Sequence, residues 1–197
     1  MPKLITFEGL DGCGKTTVID GLLPILKDKY KVYLSYEPGN MFGHFAKFGC
    51  PGLGIESSIY LWWLARQFEQ NKPEYKSADI VIKDRYYDST YVYQQLYKYK
   101  ELCNINYDPL YFNKPDLTFI LDVVNIQTLN DRIKTNKKDL FETMDGTKLI
   151  HRRYQYINLI NIFKERKFRI IDCDDKSIDD IIGECSREIF NLIGEKK

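Results

Sequence analysis

Apolar residues follow two rhythms along this chain. Short apolar runs at 3–7, 31–36, 79–84, 117–123 and 168–172 read as strands, the third a buried parallel one. Between them the spacing turns helical. Val18, Leu22, Ile25 and Leu26 recur one turn apart, and 59–68 repeats that spacing with Trp62, Ala65 and Arg66 along it. The segment running to Tyr99, and those at 126–135 and 147–164, also read as helices. Ile178, Ile181, Ile182, Cys185, Ile189 and Ile193 mark an amphipathic helix near the end. Residues 39–54, rich in glycine, phenylalanine and proline, read as an irregular loop. Strands alternating with helices predict an α/β fold with a parallel sheet covered on both faces. No internal repeat or linker divides the sequence, so residues 1–197 are expected to form one domain.

In such sheets ligands bind beyond the carboxyl ends of the strands, and the chemically informative residues gather there. Gly9, Gly14, Lys15 and Thr16 fill the fixed positions of G-x-x-x-x-G-K-[ST], with a strand before and a helix after. Glycines let the backbone wrap phosphate, and the helix N-terminus adds the positive end of its dipole. This predicts nucleoside triphosphate binding by Gly9, Gly12, Cys13, Gly14, Lys15, Thr16 and Thr17. Lys15 would reach the β/γ-phosphates, and the Thr16 hydroxyl would ligate Mg2+. Asp84 ends the third strand as a magnesium-holding carboxylate would, or as a simple cap. Arg85, one residue on, suits a bidentate grip on a second, accepting phosphate, or a surface ion pair. Trp62 and Arg66 share a helix face, fit to stack on and donate to a base, although tryptophan on a helix is commonly core. Lys134, Lys137 and Lys138 read as a lid at about 134–147, or as a solvated loop. Asn113-Lys114-Pro115-Asp116 matches a guanine-reading N-K-x-D, but it precedes its strand and so lies at the wrong end of the sheet. No D-x-x-G follows Asp84 either, and the GTPase reading is rejected.

Composition narrows the partners. A net charge of +1 offers no general attraction to nucleic acid or membrane surfaces. No apolar run is long enough for a bilayer, and no signal-peptide pattern opens the sequence. Five scattered cysteines without a C-x-x-C pair read as reduced thiols, Cys13 as filler in the loop, in a cytoplasmic protein.

Taken in order, these motifs resemble the thymidylate (dTMP) kinase family over nearly the full length. The resemblance rests on the 7–17 loop, Glu37-Pro38-Gly39, Leu61-Trp62 with Arg66, and Asp84-Arg85-Tyr86. It continues through Ser89-Thr90, Tyr93-Gln94 and Pro115-Asp116-Leu117-Thr118-Phe119-Ile120-Leu121-Asp122. It implies a P-loop NTPase fold with a five-stranded parallel sheet and a small lid, and transfer of the γ-phosphoryl of ATP to dTMP, giving dTDP. It implies that Asp11 meets the sugar 3′-hydroxyl and Arg85 holds the acceptor phosphate, with Lys15, Arg85 and Asp11 the catalytic set. Trp62 would stack on thymine and Arg66 read its carbonyl. Tyr93 would crowd the 2′ position with Gln94 beside the base, and Glu37, Pro38 and Ser89 complete the substrate set. A homodimer is also implied.

The chain departs from the family where an arginine is expected in the P-loop or the lid: Cys13 and Leu140 stand there. Arg132, Lys137, Lys138 and Arg153 are the candidate replacements. The family's arginines before Glu37 and after Gly43 become Tyr36 and at best Lys47. Two rivals follow: a kinase of deoxynucleosides or other monophosphates, for which Glu8 would be a general base, and a nucleotide-binding module without turnover.

Overall fold

The computed structural model describes residues 1–37, 54–135 and 146–194. Five parallel strands form one sheet in the order β2-β3-β1-β4-β5. They are β1 (Lys3–Glu8), β2 (Val32–Tyr36), β3 (Ile80–Asp84), β4 (Leu117–Asp122) and β5 (Phe168–Asp172). The three central strands are almost wholly buried, which explains their near-continuous apolar runs. Phe7 and Phe119 stack with ring centroids 4.9 Å apart across β1 and β4, and the Thr6 and Thr118 hydroxyls bond at 2.9 Å.

Among the described residues the main helices are α1 (Lys15–Lys27), α2 (Ile55–Gln70), α3 (Pro73–Lys76), α4 (Tyr87–Tyr93), α5 (Lys100–Asn106), α6 (Ile126–Thr135), α7 (Gly146–Ile162) and α8 (Ile178–Ile193). Helix α8 begins at Ser177, whose hydroxyl accepts from the Asp180 N–H at 3.2 Å. Its apolar stripe packs on α1, where Gly21 faces Ile182 so closely that a β-carbon would force the isoleucine aside.

Two features differ from the sequence pattern. The helical segment expected to reach Tyr99 stops at Tyr93, because Gln95 takes a left-handed φ of 55°. The chain then continues as a 3-10 turn, Leu96–Lys98, and as α5. The 79–84 run is not purely apolar in its setting, since Lys83 is fully buried within β3. At the other end of the sheet, Asp116 pairs with Lys3 at 2.7 Å and accepts from the Leu4 N–H at 2.9 Å. That is the edge opposite the P-loop, in keeping with the rejected guanine-binding motif.

Candidate functional site

The site lies beyond the carboxyl ends of β1, β3 and β4. Parallel pairing sets Phe7 opposite Asp84, so the loop leaving β1 and the turn leaving β3 emerge side by side. Gly9 has φ 135°, and a β-carbon there would run into the Leu121 carbonyl oxygen of β4. Gly14, at φ 97°, caps α1 in the left-handed region that favours glycine. Lys15 folds its ammonium over the loop, donating to the carbonyls of Leu10 at 2.8 Å and Gly9 at 3.2 Å. The Thr16 hydroxyl donates to Asp84 Oδ2 at 2.7 Å, setting two hard oxygen ligands side by side at the helix N-terminus. Cys13 is buried, with Sγ 3.6 Å from the Lys15 ammonium.

Arg85 is the hub of the neighbouring cluster. Its φ of 69° is left-handed, an uncommon state for a residue with a β-carbon. Side chains alternate faces along a strand; this residue breaks the alternation, and both Asp84 and Arg85 reach the P-loop. Arg85 Nη1 donates to the Gly9 carbonyl at 3.1 Å, Ser89 Oγ at 3.0 Å and the Tyr156 hydroxyl at 3.1 Å. Its Nη2 donates to Asp11 Oδ1 at 2.5 Å and to the Tyr93 hydroxyl at 3.3 Å. Tyr93 in turn donates to Asp11 Oδ2 at 2.6 Å. Burial works to raise the Asp11 carboxyl, but Arg85, Lys15 and Tyr93 outweigh it and bring it down to about 2. Two guanidiniums lie against the Tyr93 ring, Arg85 at 5.0 Å and Arg152 at 4.2 Å from its centroid. Behind them Glu8 is fully buried, accepting from the Tyr86 N–H at 2.8 Å and from Ser89 Oγ at 2.6 Å. Burial and Asp88 push its carboxyl well above the usual range, against Ser89, Arg85 and the Tyr86 N–H.

A third cluster joins α2 to β2 and β3. Arg66 makes a two-pronged pair with Glu37, Nε to Oε1 at 2.8 Å and Nη2 to Oε2 at 2.7 Å. It also donates to Asn106 at 3.0 Å and Thr90 at 2.5 Å, and is 2% exposed. Lys83 lies over the Tyr86 ring at 4.8 Å, paired with Glu69 and 3.8 Å from Glu37. Trp62 is half-buried, with the Arg66 guanidinium 5.8 Å from its ring centroid. Gln94 is half-buried and caps α4, its N–H donating to the Thr90 carbonyl.

Of the residues singled out from sequence, Gly9, Asp11, Lys15, Thr16, Asp84, Arg85, Ser89 and Tyr93 therefore meet in one place. Arg66 and Glu37 lie together but face each other, so the arginine expected to read the base has most of its donors engaged within the protein. Arg153, offered as a replacement for the lid arginine, is turned elsewhere. Its Nε and Nη2 pair with the two Asp122 oxygens, both at 2.6 Å, at the end of β4. Arg132 lies beside the P-loop on α6, its Cβ 3.6 Å from where a Gly12 β-carbon would stand. Pro38, Lys137 and Lys138, with most of the expected lid and of the 39–54 loop, lie outside the described residues.

Sequence reasoning missed Arg152, Lys83, the Tyr156–Arg85 bond and the buried Asp88–Arg166 pair. Arg166 donates to both Asp88 oxygens, at 2.8 and 2.6 Å, and to Thr118 at 2.9 Å, which anchors the first turn of α4 to β4. The adjacent Arg152-Arg153 pair was the one visible signal.

Comparison with known proteins adds a separate line of support. The family described as thymidylate kinase matches residues 7–181. A probable thymidylate kinase of Methanocaldococcus jannaschii is 32% identical over 196 residues, covering 95% of this chain and 96% of that protein. One from Sulfolobus acidocaldarius is 32% identical over 200 residues, covering 96% and 97%. The crystal structure of thymidylate kinase from Ehrlichia chaffeensis superposes with a TM-score of 0.69 at 26% identity, covering 95% of this chain and 97% of that one.

Proposed function

This chain belongs to the thymidylate kinase family, and on that premise we propose how its own residues divide the transfer of the ATP γ-phosphoryl to dTMP, giving dTDP for dTTP synthesis. One observation carries the division. Lys15 Nζ and Arg85 Nη1 both donate to the Gly9 carbonyl oxygen, at 3.2 and 3.1 Å. A cation suited to the donor's β/γ-phosphates and one suited to the acceptor's phosphate thus converge on one atom. The reaction asks chiefly for positioning and charge neutralisation between two anions that repel each other, and two converging cations supply both.

In this reading the backbone from Gly9 to Thr17 cradles the ATP phosphates. Arg85 grips the dTMP phosphate, Asp11 meets the sugar, and Tyr93 orients Asp11 and limits space at the 2′ position. Trp62, Gln94, Glu37, Pro38 and Ser89 complete the acceptor side, and Arg66 acts there by fixing Glu37 and Thr90 as well as by any contact with the base. The Thr16 hydroxyl and Asp84 carboxylate suit Mg2+, which takes few protein ligands and shares the rest with phosphates and water. When bound, it would supply positive charge to neutralise the ATP phosphates.

Arg152 joins Arg132, Lys137 and Lys138 among the cations available in place of the family's lid arginine. The whole chain is read as one kinase domain. A homodimer is supported by Tyr60, Leu64 and Phe68, large apolar side chains about half exposed one turn apart on α2. No described helix is long and apolar enough to cross a membrane, and the four described cysteines are free thiols, which agrees with a cytoplasmic setting. Glu8 has both oxygens engaged inside the protein, which speaks against the general base a deoxynucleoside kinase needs.

The test is ADP release from ATP–Mg2+ with dTMP, dUMP, dGMP, dCMP, thymidine or no acceptor. Turnover should be strongest with dTMP and negligible without acceptor. Faster turnover with thymidine or another monophosphate would overturn the substrate, and none at all would favour the inert module.

A further inference from the structure

We propose that Glu8 is a positioning residue for Arg85, acting through the hydroxyls of Ser89 and Tyr156. This rests on the reading of Arg85 as the acceptor-phosphate residue. The argument is one of proton direction. A guanidinium only donates, so the oxygens of Ser89 and Tyr156 that face Arg85 Nη1, at 3.0 and 3.1 Å, present lone pairs to it. Their own protons must point away. The two hydroxyls are 2.9 Å apart, and Ser89 lies 2.6 Å from Glu8 Oε2. The Tyr156 proton therefore goes to Ser89, and the Ser89 proton to Glu8. The other carboxyl oxygen already accepts from the Tyr86 N–H. Only an ionised Glu8 closes this chain with every donor matched.

A proton on Glu8 reverses the run. Glu8 would donate to Ser89 and Ser89 to Tyr156, leaving the Tyr156 proton facing a cation without an acceptor in the chain. With Glu8 fully buried, Tyr156 1% exposed and Ser89 8% exposed, water is poorly placed to absorb that mismatch. Glu8 touches no substrate position, yet its charge state decides whether Arg85 is held where it stands. The charged and titratable groups around it are Arg85 and Tyr86 from the β3–α4 turn, Tyr87 and Asp88 from the start of α4, Tyr156 from α7 and Arg66 from α2. Burial and Asp88 favour the protonated form, so the change falls at higher pH than for an ordinary glutamate.

The experiment measures equilibrium binding of dTMP and of ATP by calorimetry, without turnover, for the wild type and for Glu8→Gln, Tyr156→Phe and Arg85→Ala, with melting curves for each. Glu8→Gln should weaken dTMP about tenfold and leave ATP within about twofold, and Tyr156→Phe should weaken dTMP about threefold. Wild-type dTMP affinity should fall on acidification more steeply than the phosphate's own ionisation near pH ~6 requires, and Glu8→Gln should retain only that lesser dependence. Wild-type binding and an unchanged pH profile in Glu8→Gln would overturn the proposal. Should that variant fail to fold, unchanged dTMP binding in Tyr156→Phe would do the same. If Arg85→Ala loses dTMP while the other two do not, Glu8 has no positioning role and the reading of Arg85 stands. If Arg85→Ala binds dTMP normally, the reading of Arg85 fails and takes the inference with it.

Discussion

The two sides of the site are built differently. On the donor side the geometry comes from the backbone: left-handed glycines, a helix N-terminus, and a lysine resting on loop carbonyls within six residues of itself. On the acceptor side it comes from side chains that meet across the fold. Arg85 reaches Asp11 over 74 residues of sequence and Tyr156 over 71, and Arg66 reaches Glu37 over 29. A backbone cradle recognises phosphate whatever nucleoside carries it, whereas a side-chain cluster can select one acceptor. In the proposed division of the site, general and selective binding thus fall to different structural materials.

That contrast can be broken by mutation, and the largest effect belongs to the donor side. Lys15→Ala should lower kcat by roughly 10³-fold while leaving the melting temperature nearly unchanged; activity near wild type would remove the P-loop from the mechanism. Arg85→Ala should raise the KM for dTMP about 100-fold, a charge-assisted pair lost, with the KM for ATP within about twofold. Equal changes in both constants would erase the distinction between the two sides. Arg66→Ala removes one partner of a buried pair and leaves Glu37 with Lys83 as its remaining cation among the described residues, so a loss of about 3 kcal/mol in denaturant unfolding is expected. Unchanged stability would mean that the pair serves ligand binding alone. Tyr93→Phe keeps the ring beside its two guanidiniums and loses the hydroxyl's bonds to Asp11 and from Arg85, and should raise the KM for dTMP about threefold.

The same contrast explains what could be read from the sequence. The strands were visible because β1, β3 and β4 are buried on both faces, and the P-loop because its demands are local. Glycine at 9 and 14, lysine at 15 and threonine at 16 are consequences of one short stretch of backbone. Buried charge was not visible. Lys83 looks like a strand's polar end until Glu69 and Glu37 are brought to it from two other elements. Asp88 and Arg166, 78 residues apart, give no local sign of each other. Arg66 was singled out by its spacing from Trp62, but its direction depends on Glu37, which that spacing does not register. The break at Gln95 was missed because the residues on either side suit a helix, and the fault lies in a single backbone angle.

Position 85 places two separate demands on one residue, and they sort the possible replacements. Its left-handed backbone is costly for any side chain, by about 1–2 kcal/mol, and worst for β-branched ones. A saturation library at this codon should therefore fall into three groups. Glycine and asparagine satisfy the backbone and yield folded protein that no longer holds the acceptor. Lysine keeps the charge without the fork and retains a fraction of the activity. Valine and isoleucine fail both demands and should be the rarest survivors of any screen.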